Sequence, residues 1–249
     1  MRLLLINGNT TQFVTDAAAR EARLAAADGT EVVAVTGRSG ARIIGTRFEN
    51  ALAQHEMIAL AAAHGEGIDA VLIAVSYDTA LPALRELLSV PVVGMTEAAL
   101  LTAHLAGGRI GMVSLGRRVQ PLYRELAAAY GLDRRIAGWR TVESTKAFAP
   151  GDTAELDGLL AGACNELVEQ ELAEVVVLLG AVMAGAPRRL QARVPVPLVE
   201  GIASGVGQAE LLVRLGLPKP GAGSYALPGQ RELAGVEPAI LALLRRQPG

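Results

Sequence analysis

Residues Asp69 to Glu97 read DAVLIAVSYDTALPALRELLSVPVVGMTE, and the order of residue types along this stretch decides the fold. Ala70 to Val75 form a continuous apolar run. It is too short for a helix and rich in β-branched residues, as a strand buried on both faces of a parallel sheet requires. A polar break follows at Ser76-Tyr77-Asp78-Thr79. Apolar residues then recur at helical spacing (Leu81, Leu84, Leu87, Leu88) up to Pro91 and a second short apolar strand. A loop that leaves the carboxyl end of a buried parallel strand and opens a helix is where α/β proteins place ligands. Ser76 to Thr79 are therefore the first candidate site.

The same unit returns about a hundred residues later as Glu174 to Gly201, EVVVLLGAVMAGAPRRLQARVPVPLVEG. An acidic residue, an apolar strand, a small-residue loop, a helix with arginines, Val-Pro-Val and an acidic turn recur in order. Duplication at this scale means two similar half-domains, because solenoid repeats are far shorter.

Composition sets the outer bounds. With 249 residues, 51% of them hydrophobic, the chain can bury a sizeable core as one large domain or two small ones. A net charge of −2 leaves no basic footprint for nucleic acid or a membrane surface, and 3% aromatic residues argue against base-stacking platforms. No apolar run approaches the roughly 18 residues of a membrane span. The opening Met1 to Ile6 is too short for a signal-peptide core and reads as a buried first strand. The single cysteine, Cys164, excludes an internal disulfide and a cysteine metal cage. No His/Asp/Glu set has metal-ligand spacing, and no GxGxxG follows the first strand. The expectation is a cytoplasmic protein with no metal and no cofactor.

In chain order, Arg2 to Ile6 is strand one, and Asn7 to Thr11 is its polar end loop. Thr15 or Asp16 caps a helix to about Ala27. Strand two covers residues 30–36 and a helix covers 49–64, before the central unit. A helix from Glu97 to Ala106 stops at Gly107-Gly108. The second half opens with the strand Arg109 to Val113 and the loop from Ser114 to Arg118. A helix to Tyr130, a short strand at 140–142, a loop from Ser144 to Thr153 and a helix at 154–172 follow. After the second unit come a helix from Ile202 to Leu215, a Pro/Gly-rich stretch and a last helix from Pro238 to Arg246. Alternating strands and helices predict an α/β fold: two pseudo-symmetric half-domains, each a mostly parallel sheet flanked by helices. The division is 1–98 plus 202–249 for the first half and 99–201 for the second.

These residues resemble a family. Leu5-Ile-Asn-Gly-Asn-Thr-Thr11 is similar to the INPN(S/T)T opening of hydantoin and allantoin racemases, within the aspartate/glutamate racemase superfamily. The match continues through Tyr77 to Leu81, Arg85-Glu86, Val93-Gly94, Glu97-Ala98-Ala99, Leu179-Gly180, Val196 to Gly201 and Gly223 to Ala226. It covers nearly the whole chain and implies one active site in the cleft between the halves. Members racemise a carbon acid with two cysteines on opposite faces of the substrate. The first follows an Ile-Ala pair at the end of the central strand, where this chain has Val75. The second lies in a Leu-Gly-Cys-Ala-Gly-Met pattern, where this chain has Ala181. Neither replacement carries a proton, so two-thiol racemisation is excluded. Cys164 falls mid-helix and reads as a small core residue.

The candidate catalytic residues are then Asp78, Tyr77 and Ser76. Asp78 reads equally as a helix cap or a catalytic group. Ser76 needs an adjacent base to act as nucleophile, and the sequence places no histidine for it. Tyr77 is a donor or a wall of the pocket. The candidate substrate-binding residues are Asn9, Thr10, Val75, Thr79, Ser114, Arg117, Gly180, Ala181 and Val182. Asn9 and Thr10 sit at a strand end, where Asn7 and Asn9 also suit an Asx-type turn. Ser114 matches a family Thr, and one of Arg117 and Arg118 matches a family Arg. Gly180, Ala181 and Val182 offer backbone N–H groups for half of an oxyanion-type cradle. Glu200, a family acidic position, reads as structural, and His55, His64 and His104 read as solvated surface.

The leading expectation is a thiol-free enzyme of this superfamily acting on a small carboxylate, cyclic ureide or amide by a lyase, hydrolase or ring-opening step. The alternative is a non-catalytic binding or regulatory protein that keeps the cleft. A mainly structural oligomer subunit leaves the family-like polar loops unexplained. The expected partners are a small molecule and further copies of the chain in a homo-oligomer.

Overall fold

The computed structural model describes residues 1–144, 151, 153–229 and 231–245. Most of the loop between Ser144 and Thr153, and Arg246, lie outside the described residues.

The first half runs β1 (Arg2–Asn7), α1 (Gln12–Ala25), β2 (Glu31–Thr36), α2 (Arg47–His64), β3 (Ala70–Ile73), α3 (Leu81–Leu87), β4 (Val92–Gly94) and α4 (Met95–Ala106). The second repeats that order as β5 (Ile110–Leu115), α5 (Gln120–Ala129), β6 (Ile136–Val142), α6 (Ala154–Glu171), β7 (Val175–Leu178), α7 (Ala186–Leu190), β8 (Leu198–Glu200) and α8 (Gly201–Leu215). A final helix, α9 (Pro238–Arg245), packs on α2. Each half holds a four-stranded parallel sheet, ordered β2-β1-β3-β4 and β6-β5-β7-β8. The registers match as well. Ile6, Ile73 and Gly94 stand in one row of the first sheet, and Val113, Leu178 and Glu200 in one row of the second.

The central strands are apolar on both faces because helices cover both faces. Leu3 to Ile6, Val71 to Ile73 and Val175 to Val177 are fully enclosed. Burial of each such side chain contributes about 1.5–3 kcal/mol. One cluster crosses the two halves and contains Leu4, Ile6, Val71 and Ile73 of the first, Met112, Val175 and Val177 of the second, and Leu100 and Ala103 of α4. The closing helices are exchanged. α8 packs on β3, β4 and α1, and α4 packs on β7 and β8. Residues at or just beyond the carboxyl ends of β1, β3, β5 and β7 meet around one cavity. Among the described residues no helix is long and apolar enough to cross a membrane.

Several boundaries differ from expectation, each for a local reason. α1 begins at Gln12, so Thr15 and Asp16 lie inside it, and the Thr15 hydroxyl instead meets Asn7 Nδ2 at 3.0 Å and Thr36 Oγ1 at 2.7 Å. Ser76 to Thr79 do not open a helix. Left-handed backbone at Asp78 (φ 49°) and Ala80 (φ 62°) separates them from α3. β6 begins at Ile136, four residues ahead of the expected strand, because it pairs with β5 over its full length.

Candidate functional site

The two repeated units end in matching turns. After β3, the Ala74 N–H donates to Ile6 O at 2.8 Å and the Asp78 N–H to Val75 O at 2.9 Å. After β7, the Leu179 N–H donates to Val113 O at 2.8 Å and the Met183 N–H to Gly180 O at 2.9 Å. Between the turns lies a cavity of about 70 Å³, well below the ~300–1,000 Å³ that drug-sized ligands occupy. Ala74 to Tyr77 line one side, and Leu179 to Val182 the other. Asn9 from the end of β1, Ile43 to Gly45, Val14, Leu115, Val119 and Tyr123 complete the wall.

Asn9 is oriented by its neighbours. Its Oδ1 accepts from Asn7 Nδ2 at 3.0 Å and from the Thr11 N–H at 2.9 Å, while Asn7 Oδ1 accepts from the Asn9 N–H at 3.2 Å. Asn7 is thus fully buried and acts as a brace. These bonds fix which end of the Asn9 amide is the oxygen and leave its NH₂ as the donor beside the cavity. Ser76 Oγ accepts from Tyr123 OH at 2.7 Å, so the serine keeps its own proton to offer. Tyr77 stacks against Tyr123 with ring centroids 5.2 Å apart, and its hydroxyl is enclosed with no partner among the described residues. Ala181 and Val182 open a short 3₁₀ turn, whose first N–H groups have no acceptor within it.

Asp78 is placed elsewhere. Its carboxylate accepts from the Thr96 N–H at 2.9 Å, the Glu97 N–H at 2.8 Å and Tyr130 OH at 2.7 Å. It does not line the cavity. It caps α4, a neighbouring helix, and not the α3 that follows it in sequence. Burial pushes its carboxyl up to about 7, and its three donors oppose that rise. The equivalent place in the second half is filled from a different chain position. Glu200, at the register position of Gly94, turns back on its own helix α8 and accepts from the Ile202 N–H at 2.7 Å and the Ala203 N–H at 2.6 Å. Burial raises its carboxyl to about 7 as well. Gly94 has no side chain because Asp78 occupies that space. A Cβ there would stand 2.7 Å from both carboxylate oxygens.

Of the other expected binders, Val75, Gly180, Ala181 and Val182 meet in the cavity, while four do not line it. Thr10 binds Ala41 O through its backbone N–H, and Thr79 Oγ1 donates to Asn50 Oδ1 at 2.6 Å. Ser114 is fully buried with an unpartnered hydroxyl, on the face of β5 away from neighbouring Leu115. Arg117 is exposed, with its backbone N–H on Glu143. Of the histidines, His55 pairs with Glu237 at 3.1 Å, and His104 is half-buried with Nδ1 enclosed, against the expectation of solvated surface. Sequence reasoning missed Tyr123 and the Ile43-Ile44 wall. A pair of β-branched residues inside a Gly/Arg-rich connection was the available signal for the latter.

The family model for Asp/Glu/Hydantoin racemase matches residues 3–209. The chain belongs to this family. The hydantoin racemase of Paenarthrobacter aurescens is 32% identical over 235 residues, covering 93% of this chain and 99% of that protein. The allantoin racemase from Klebsiella pneumoniae superposes with a TM-score of 0.89 at 30% identity, covering 94% of this chain and 96% of that one. The allantoin racemase from Pseudomonas fluorescens gives 0.84 at 33% identity, covering 94% and 100%. In this racemase-family chain, the cavity lining among the described residues contains no thiol, carboxylate, imidazole or amine. Its titratable groups are two phenols. Burial raises Tyr123 to about 12 and Tyr77 further still, so near neutral pH both act as hydrogen-bond donors. Cys164 lies fully buried in α6, outside the lining, and burial raises its thiol to about 12.

Proposed function

We propose that this racemase-family chain binds a small cyclic ureide or amide in the cavity between its halves and leaves it chemically unchanged. The observation that carries this reading is the neutral lining, with Val75 and Ala181 alkyl side chains at the two turns. Abstraction of a proton from carbon needs a base near the working pH on one face and an acid on the other. Among the described residues, every polar group lining this cavity is a neutral donor or acceptor. The donors of Asn9, Ser76, Ala181 and Val182 suit carbonyl oxygens, and apolar Val14, Ile43, Leu115 and Leu179 suit a ring. Among the described residues the lining has no cation to offset a carboxylate, which favours the uncharged members of the ligand set. The relatives' own names, hydantoin and allantoin racemases, supply the ureide class.

A thiol-free enzyme is the second reading, favoured by the Ser76–Tyr123 hydroxyl pair. It needs a group that removes the serine proton, and a phenol raised to about 12 donates near neutral pH instead. We also propose that the half-domains divide at 1–98 with 202–249 and 99–201, supported by the exchange of α4 and α8. Exposed leucines on those helices, Leu101, Leu105, Leu211 and Leu215, support a homo-oligomer.

A thermal-shift series with hydantoin, 5-substituted hydantoins, allantoin and small carboxylates, followed by NMR of each stabilising compound in D₂O, tests the proposal. Saturable stabilisation grows with the logarithm of ligand concentration, reaching about 2.7 kcal/mol at a hundredfold excess over Kd. The expected result is such stabilisation by an uncharged ureide with an unchanged NMR spectrum. Conversion to a new compound, or deuterium at the α-carbon, overturns the non-catalytic reading. Stabilisation by carboxylates alone overturns the ligand class.

A further inference from the structure

α5 is a surface helix belonging to the second half, and its only buried side chains are Tyr123 and Ala127. Its first turn walls the cavity through Val119 and Tyr123. Tyr123 and Tyr130, at the end of the helix, stand seven residues apart and so share a face about 10 Å apart along the axis. Both reach across the cleft to a single turn of the first half. Tyr123 OH donates to Ser76 Oγ at 2.7 Å, and Tyr130 OH donates to Asp78 Oδ2 at 2.7 Å. An exposed ion pair, Arg47 to Glu125, adds a weaker tie from α2. Glycines in the left-handed region flank the helix, Gly116 (φ 81°) before it and Gly131 (φ 70°) after it. A Cβ at Gly131 would meet nothing within 4 Å, so open space lies beside this turn.

We propose that α5 is a hinged cover over the cavity, turning about Gly116 and Gly131 and held shut by the hydroxyls of Tyr123 and Tyr130. The cover swings as a unit because its own hydrogen bonds are internal to the helix, whereas its ties to the first half are side-chain contacts. Opening breaks two hydrogen bonds and separates the Tyr77 and Tyr123 rings, exposing Ser76 and the wall at Val119. The two tyrosines act as positioning residues for the cavity wall. The inference concerns the same cavity as the proposed function, but its test uses no ligand, so either can fail without the other.

The protein carries its own reporter. Arg124 of α5 lies over the ring of Trp139, 4.8 Å from its centroid, and Trp139 is the only tryptophan in the chain. Acrylamide quenching of Trp139 and amide hydrogen exchange are compared in the full-length wild type, Tyr123→Phe, Tyr130→Phe and the double variant. Each phenylalanine keeps the ring and removes one bond, for a several-fold gain in the open population per bond. Lifted off its packing, a ten-residue helix is too short to hold its own hydrogen bonds, so exchange within residues 120–129 should rise severalfold in each single variant and tenfold or more in the double, with α8 unchanged and Trp139 quenched more readily. Tyr123→Phe leaves the Asp78 cap intact, so its effect separates the cover from any loosening of α4. Unchanged exchange in α5, or a rise shared equally by α8, overturns the proposal.

Discussion

Gly94→Ala examines the cap on α4 directly. The added Cβ would lie 2.7 Å from each Asp78 oxygen, well inside normal contact. Asp78 cannot retreat, because three donors and a left-handed backbone hold it. The carboxylate must leave the amino end of α4. Loss of a cap costs about 0.5–2 kcal/mol, and the burial of the Thr96 N–H puts this one at the upper end. The expected loss is about 2 kcal/mol, read as a lower urea midpoint at constant slope. In an Asp78→Ala background the same glycine substitution should cost almost nothing, since the group it strikes is gone. A loss below about 1 kcal/mol in the wild type, or an equal loss in both backgrounds, would refute the reasoning and reopen a role for Asp78 beyond the cap.

Other predictions follow from the buried groups. Asp78 and Glu200 titrate near 7 when folded, against ordinary values of 3.8 and 4.5. The folded state therefore retains protons that the unfolded chain loses, and stability falls as pH rises from about 5 through 7. Asp157, held below its ordinary value by Arg189 against the effect of burial, acts the other way only at more acidic pH. A urea midpoint higher at pH 8 than at pH 5.5 would contradict this. Cys164 should resist a thiol reagent in the native protein and react fully in denaturant; rapid native labelling would show that α6 opens readily. Val75→Cys with Ala181→Cys places a thiol at each turn, at the positions the family resemblance assigns to the paired cysteines. The double variant should exchange the α-proton of a 5-substituted hydantoin in D₂O, and either single variant should do so far more slowly. A folded, binding-competent double variant with no exchange would show that the cavity has lost more than its thiols.

The fold was legible because it depends on local pattern. Apolar runs such as Leu3 to Ile6 and Val175 to Leu178, each followed by a polar or small-residue turn and a helix, specify parallel strands wherever they pack. Duplication of the central unit announced two halves of like topology. The residue types at the turns, Val75 and Ala181, were also plain from the chain alone, and with them the absence of thiols from those positions. Side-chain direction was not. Asp78 is adjacent in sequence to the cavity residues Ser76 and Tyr77, yet a positive φ turns it onto α4, eighteen residues further on, in the space that Gly94 leaves. Tyr123 and Tyr130 lie about fifty residues from their partners and meet them only because α5 crosses the cleft. Period and composition encode which residues are buried and in which element. Which buried donor meets which acceptor depends on contacts between distant segments, and only tertiary packing decides those.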